Sequence, residues 1–200
     1  MLVEGPVGAV DVAINDPGAG RRGLALVAHP HPLQGGTREN KVVTSLARAF
    51  FSLGYCVARP NFRGVGHSAG KYDEGVGETD DLVAVAAYMH SRFGELPLLL
   101  AGFSFGSFVQ TRVARRMPIE RLALIAPAVN RFDADPVRDD TLVVHGDEDD
   151  VVPLAAVLKW ARPHNLPVVV IPGGEHFFHG RLNQLQRIVI HWHRGYLSEP

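Results

Sequence analysis

The chain has 200 residues, 46% of them hydrophobic and 20% charged, with a formal net charge of -1. That balance suits one folded domain over residues 1–200 with a sizeable core, and it excludes a disordered chain or a strongly basic nucleic-acid surface. The single cysteine, Cys56, excludes an internal disulfide and fits a reducing, cytoplasmic setting.

Residues 8–14 and 22–29 predict two early strands, with Gly18-Ala19-Gly20 in the turn between them. The run Gly23-Leu24-Ala25-Leu26-Val27-Ala28 is apolar throughout, the mark of a strand buried on both faces. It ends in His29-Pro30-His31-Pro32-Leu33-Gln34-Gly35-Gly36-Thr37. Helical spacing starts near Asn40, with Val42, Val43, Leu46, Ala49, Phe50 and Leu53 on one side, and Gly54 stops it. Residues 55–60 predict the next strand. A glycine-rich loop then leads to Glu78-Thr79-Asp80, read as the cap of a helix running to about Phe93.

Residues 98–103 predict a strand and 105–116 a helix. Strands follow at 122–126 and 141–145, a helix after Pro153, a strand at 167–171 and a last helix over about 180–195. Strands alternating with helices imply a mostly parallel sheet covered on both faces. No apolar stretch approaches 18 residues, and Met1-Leu2-Val3-Glu4-Gly5-Pro6 lacks the basic start of a leader, so neither a membrane partner nor an export signal is expected. The composition is also compatible with a homodimer.

The stretch with chemistry in it is Gly102-Phe103-Ser104-Phe105-Gly106, set between the 98–103 strand and the 105–116 helix. A serine on a sharp strand-to-helix turn presents its hydroxyl above the sheet end, and the next amide opens the helix, where negative charge is favoured. A second match, Gly66-His67-Ser68-Ala69-Gly70, lies between two loops and has neither flank, so Ser104 is the expected nucleophile. The Phe105 amide is one expected oxyanion donor. Serine needs a base, and the base needs a group to orient it. In a parallel sheet these partners belong in loops after strands. The 141–145 strand is followed by Asp147, Glu148, Asp149 and Asp150, so the acid is open among them. The 167–171 strand is followed by Gly174-Glu175-His176-Phe177-Phe178, which makes His176 the base, shielded by the two phenylalanines. The second oxyanion amide should come from the loop after residue 28. Pro30 and Pro32 have no N–H, which leaves His31 and Leu33. His29 and His31 lack the further ligands that zinc requires, so no metal and no cofactor are expected. Their rings are expected to bond the loop backbone or shape the pocket. Phe103 and Phe105 are candidates for the wall of an acyl pocket, although Phe103 could equally belong to the core.

Four stretches together resemble the α/β-hydrolase superfamily: the Ser104 motif, His145-Gly146 with Asp149 and Val152-Pro153, Gly174-Glu175-His176, and Asn61-Phe62-Arg63-Gly64-Val65-Gly66. More narrowly, His29-Pro30-His31-Pro32 with Gly35-Gly36-Thr37 and Asn40-Lys41-Val42-Val43 resembles a group of small bacterial serine hydrolases without a lid, similar to dienelactone hydrolases. Arg38 departs from the apolar residue associated with that position. The resemblance implies an α/β-hydrolase fold with a central sheet of about eight strands and no lid domain. It implies Asp149 as the acid, with Gly146 as the anchor of the pattern, and it favours Leu33 for the second oxyanion amide. It also implies hydrolysis of small carboxylic esters or thioesters through an acyl-enzyme. Amide or peptide hydrolysis by the same triad, or a non-catalytic binding protein on the same fold, are the alternatives. The interval from Pro127 to Asp140 is too short for a multi-helix cap, since one average helix takes about 11 residues. An acyl preference of roughly two to six carbons follows, because methylenes left in water forfeit about 0.8 kcal/mol each.

Overall fold

The computed structural model describes residues 1–197. Its centre is an eight-stranded sheet. The strands are β1 (Leu2–Gly5), β2 (Gly8–Asn15), β3 (Gly23–Ala28), β4 (Tyr55–Pro60), β5 (Leu98–Phe103), β6 (Arg121–Ile125), β7 (Leu142–Gly146) and β8 (Val168–Ile171). Their order across the sheet is β1-β2-β4-β3-β5-β6-β7-β8. Strands β4, β3, β5, β6, β7 and β8 run parallel, while β2 joins β4 antiparallel and β1 pairs with β2 as a hairpin.

Among the described residues five α-helices cover the sheet: α1 (Lys41–Ser52), α2 (Val76–Phe93), α3 (Phe105–Ala114), α4 (Leu154–Ala161) and α5 (Leu182–Leu197). Successive strand side chains point to opposite faces, so each central strand serves two cores. Ala25, Val27, Leu99, Ala101, Ile125 and Val144 pack beneath α1 and α5. Leu24, Leu26, Leu98, Leu100, Leu122 and Leu124 pack beneath α2 and α3. This double burial is why β3 and β5 read as unbroken apolar runs. Val143 and Val152 join Val157 and Ala161 of α4 in a smaller cluster. Among the described residues, no helix is long and apolar enough to cross a membrane.

Several local features differ from the sequence reading. Strand β1 was not expected; four residues carry little periodicity, and its order comes from pairing with β2. Helix α2 begins at Val76, two residues before the expected cap. Glu78 acts from inside the first turn, where its carboxylate accepts from the Gly75 amide at 2.8 Å and the Asp73 amide at 2.9 Å. Helix α3 stops at Ala114. Asn40 caps α1 as expected, accepting from the Val42 amide at 2.9 Å. Arg38, the departure from the family pattern, binds Asp11 of β2 at 2.5 Å, and its amide donates to Asn61. Burial pushes the Asp11 carboxyl up, but Arg38 and the other hydrogen bonds outweigh it and hold the group below the usual range. The segment from residue 127 to residue 140 contains no helix.

Candidate active site

The functional side chains gather at the carboxyl ends of β5, β7 and β8, with the loop after β3 beside them. Ser104 occupies the turn between β5 and α3 with φ 54° and ψ -116°. A non-glycine residue at positive φ is strained, and the surrounding structure must hold it there. The Ser104 amide donates to the Ile125 carbonyl at 2.9 Å. The Ser107 hydroxyl donates to the Gly102 carbonyl at 2.7 Å, tying the helix to the strand it left. A Cβ on Gly102 would lie 2.4 Å from the Gly106 backbone, and one on Gly106 would lie 2.5 Å from the Ala28 carbonyl oxygen. Both glycines are therefore required by backbone approach.

His176 stands over this turn. Its Nε2 accepts from the Ser104 hydroxyl at 3.1 Å, and its Nδ1–H donates to Asp149 Oδ2 at 2.7 Å. A carboxylate oxygen only accepts, so Nδ1 carries the proton and Nε2 is left free to take one. Asp149 is held in turn: Oδ1 accepts from the Val151 amide at 2.9 Å and the Val152 amide at 2.7 Å. Burial works to raise the Asp149 pKa, but the bonds from His176 and Val152 outweigh it and keep the carboxyl below its ordinary range. The neighbouring acids do other work. Asp147 accepts from the Gly173 amide at 2.6 Å, and Asp150 is exposed.

The acid loop and the histidine loop are pressed together. The Glu148 amide donates to the Gly174 carbonyl, and a Cβ on Gly146 would sit 2.0 Å from that same oxygen. Phe177 meets the His176 ring edge-on at 5.1 Å and Phe103 lies 5.0 Å from it. Phe178, expected as a shield, is instead fully buried in the core under α1 and α5. Phe103 and Phe105 are also fully buried and leave the pocket wall to others. Phe105 packs among His31, Phe62, Tyr72, Phe108 and Phe132.

The Leu33 expectation is corrected by the loop geometry. The Leu33 amide already donates to the His31 ring Nδ1 at 3.2 Å, and Leu33 is 71% exposed, outside the residues that line the cleft. The His31 amide, one position before the short 3-10 turn Pro32–Gln34, donates to no group among the described residues. The Phe105 amide, first in α3, has no intrahelical acceptor. His29 is fully buried behind this loop, its Nδ1–H donating to the Pro30 carbonyl at 2.7 Å and its Nε2 accepting from the Phe62 amide at 2.9 Å. Burial pulls the His29 pKa down to about 4.

The cleft at Ser104 has a volume of about 100 Å³ and is bordered by His31, Gln34, Asn40, Val151, His176 and Phe177, with backbone from Gly35 and Gly36. One neighbour of the acid escaped the sequence reading. His145, at the end of β7, brings its Nε2 within 3.5 Å of Asp149 Oδ2. The spacing of four residues was visible, but a strand end followed by a turn does not carry helical periodicity, so it signalled no contact.

Residues 31–136 match the family described as serine aminopeptidase, S33. An uncharacterized protein of Rickettsia prowazekii is 32% identical over 204 residues, spanning 94% of this chain and 86% of the relative. A Xanthomonas campestris α/β serine hydrolase without a lid superimposes with a TM-score of 0.93 at 40% identity, covering 100% of this chain and 95% of that one. An α/β serine hydrolase homologue from Coxiella burnetii gives 0.85 at 41% identity, covering 96% and 95%. With its eight-stranded sheet, its serine on the turn after β5 and no helix inserted between β6 and β7, this chain belongs to the α/β serine hydrolases.

Proposed function

We propose that the protein hydrolyses small carboxylic esters or thioesters through a Ser104–His176–Asp149 triad. The observation that carries this reading is the hydrogen-bonded chain from the Ser104 hydroxyl through both His176 nitrogens to Asp149. Ser104 Oγ attacks the acyl carbon while its proton passes to His176 Nε2. The alkoxide or thiolate leaves with that proton, and the acyl-enzyme remains. A water then gives its proton to Nε2 and attacks the same carbon, releasing the acid and restoring the serine. Asp149 keeps His176 in the tautomer with a free Nε2 and stabilises the imidazolium. The amides of Phe105 and His31 take the oxyanion. Each such donor contributes about 3–4 kcal/mol where measured in other serine hydrolases.

The cleft volume of about 100 Å³ suits a short acyl group. Val151 and Phe177 offer the apolar contact, and among the described residues no carboxylate borders the cleft. An aminopeptidase needs a negative group to hold a free substrate amine, so the lining favours esters and thioesters over the activity in the matched family's description.

A fluorophosphonate probe should label the wild-type chain and leave Ser104→Ala unlabelled. With p-nitrophenyl esters, kcat/KM should peak between roughly two and six acyl carbons, since longer chains gain no burial worth about 0.8 kcal/mol per methylene. A steady rise through about twelve carbons would refute the small-acyl reading. Labelling of Ser104→Ala would refute the nucleophile.

A further inference from the structure

His145 is a fully buried histidine that the triad does not use. Its Nε2 lies 2.8 Å from the Val152 carbonyl oxygen and 3.5 Å from Asp149 Oδ2. Both are acceptors, so Nε2 carries the ring proton and Nδ1 holds a lone pair. That Nδ1 is buried with no hydrogen-bond partner. An apolar side chain of similar size would fill the space without burying an unmatched nitrogen, so packing alone is a poor reason for this ring. The donor nitrogen, by contrast, sits at a structural junction. The peptide on either side of Val152 closes a loop: its amide donates to Asp149 Oδ1 at 2.7 Å, and its carbonyl accepts from His145. The same Nε2–H faces the other carboxylate oxygen, the one that receives His176 at 2.7 Å.

We propose that His145 is a positioning residue for the acid, its Nε2–H bracing the Val152 peptide and Asp149 Oδ2 so that the carboxylate stays aimed at His176. The inference rests on the triad reading above. No proton is transferred by His145; it acts only through Asp149. Its neutrality matters, because a cation at this position would draw the Asp149 charge away from the imidazolium that forms on His176. Burial, the largest influence on the ring, pulls its pKa below the ordinary histidine value and keeps it neutral.

The test is a mutant cycle on the full chain, read as kcat and KM on a short p-nitrophenyl ester, with circular dichroism to correct for the folded fraction. H145L should lower kcat by about 10- to 100-fold with KM within about twofold, because only the orientation of the acid is lost. H145Q places an N–H at the reach of Nε2 and should recover most of that loss. In a D149N background, H145L should add less than about a twofold further loss, since a residue that acts through Asp149 has nothing left to position. Should H145L not fold, H145M, equally apolar and more adaptable, replaces it. Equal losses from the apolar variant in both backgrounds, or wild-type kcat per folded chain, would overturn the positioning role. The two readings fail separately. D149N with undiminished kcat would sink the triad itself, whereas a D149N loss of about a thousandfold beside an inert H145L would sink only the role of His145.

Discussion

The chain contains the pattern Gly-x-Ser-x-Gly twice, and the two copies are put to different uses. Ser104 and Ser68 are buried alike, at 7% and 8% exposure, so burial does not separate them. Their partners do. The Ser68 hydroxyl accepts from the Asp11 amide at 2.9 Å and donates to the Asn61 carbonyl at 2.8 Å, fastening β2 to the loop after β4. Both of its hydrogen-bonding roles are taken by backbone. The Ser104 hydroxyl faces an imidazole that can take its proton. The glycines differ as well. Gly102 and Gly106 are required because backbone crowds them, whereas Gly66 and Gly70 stand at φ 59° and 82°, where L side chains are strained. One five-residue string therefore sets a serine against a histidine in one context and makes a structural clip in the other, and the flanking strand and helix decide which.

The widest gap between the two copies should appear in rate. Ser104→Ala is expected to lower kcat/KM by at least about a thousandfold, while Ser68→Ala stays within about threefold. Comparable losses in ester hydrolysis assays would dissolve the distinction.

The glycines should separate in stability. Gly106→Ala pushes a methyl to 2.5 Å from two carbonyl oxygens of the β3 end, and neither backbone can yield without opening the turn. Urea unfolding should report a loss of at least about 3 kcal/mol, if the variant folds at all. Gly70→Ala crowds the Val7 side chain at 2.8 Å, which is half-exposed and free to shift, and meets Arg63 Cβ at an ordinary 3.4 Å. Its loss should be the strain of positive φ alone, about 1–2 kcal/mol. The reverse ranking would show that backbone approach is not what the elbow glycines provide.

His29 couples the two regions, since its carbonyl crowds Gly106 and its ring accepts from Phe62, ahead of Ser68. Its folded-state pKa of about 4 lies below the ordinary 6.5. Between those values the unfolded chain binds a proton that the folded chain refuses. Stability should therefore be full above pH 6.5 and fall as pH drops toward 4. The slope is about 1.4 kcal/mol per pH unit, about 3 kcal/mol in all. Urea midpoints at several pH values should show this decline, and His29→Gln should flatten it. A wild-type midpoint that is level across the window would contradict a neutral buried His29.

The smallest effect belongs to the clip. Ser68→Ala leaves the Asp11 amide and the Asn61 carbonyl without their shared partner, a loss of about 1–2 kcal/mol in the same unfolding assay. A neutral substitution would mean that Ser68 fastens nothing.

The sequence by itself determined the architecture and pointed to two members of the proposed triad. Unbroken apolar runs in β3 and β5, helical spacing after Asn40, and the strand-then-helix flanks of Ser104 are local signals, legible because side-chain periodicity is set within a few residues. His176 was legible for the same reason, as the histidine in the loop after the last strand. Asp149 needed the family pattern, because three aspartates crowd one loop and spacing ranks none of them. Tertiary structure separated them by where each carboxylate points: Asp149 to His176, Asp147 to the Gly173 amide, Asp150 to solvent. It also engaged the Leu33 amide with the His31 ring, which leaves His31 as the proposed second oxyanion amide, and it brought His145 beside the acid. The bonds from His176 to Asp149 and to Ser104 join groups 27 and 72 residues apart in the chain. Contacts of that separation depend on how the loops at the sheet's carboxyl edge fold against each other, and no local periodicity records that packing.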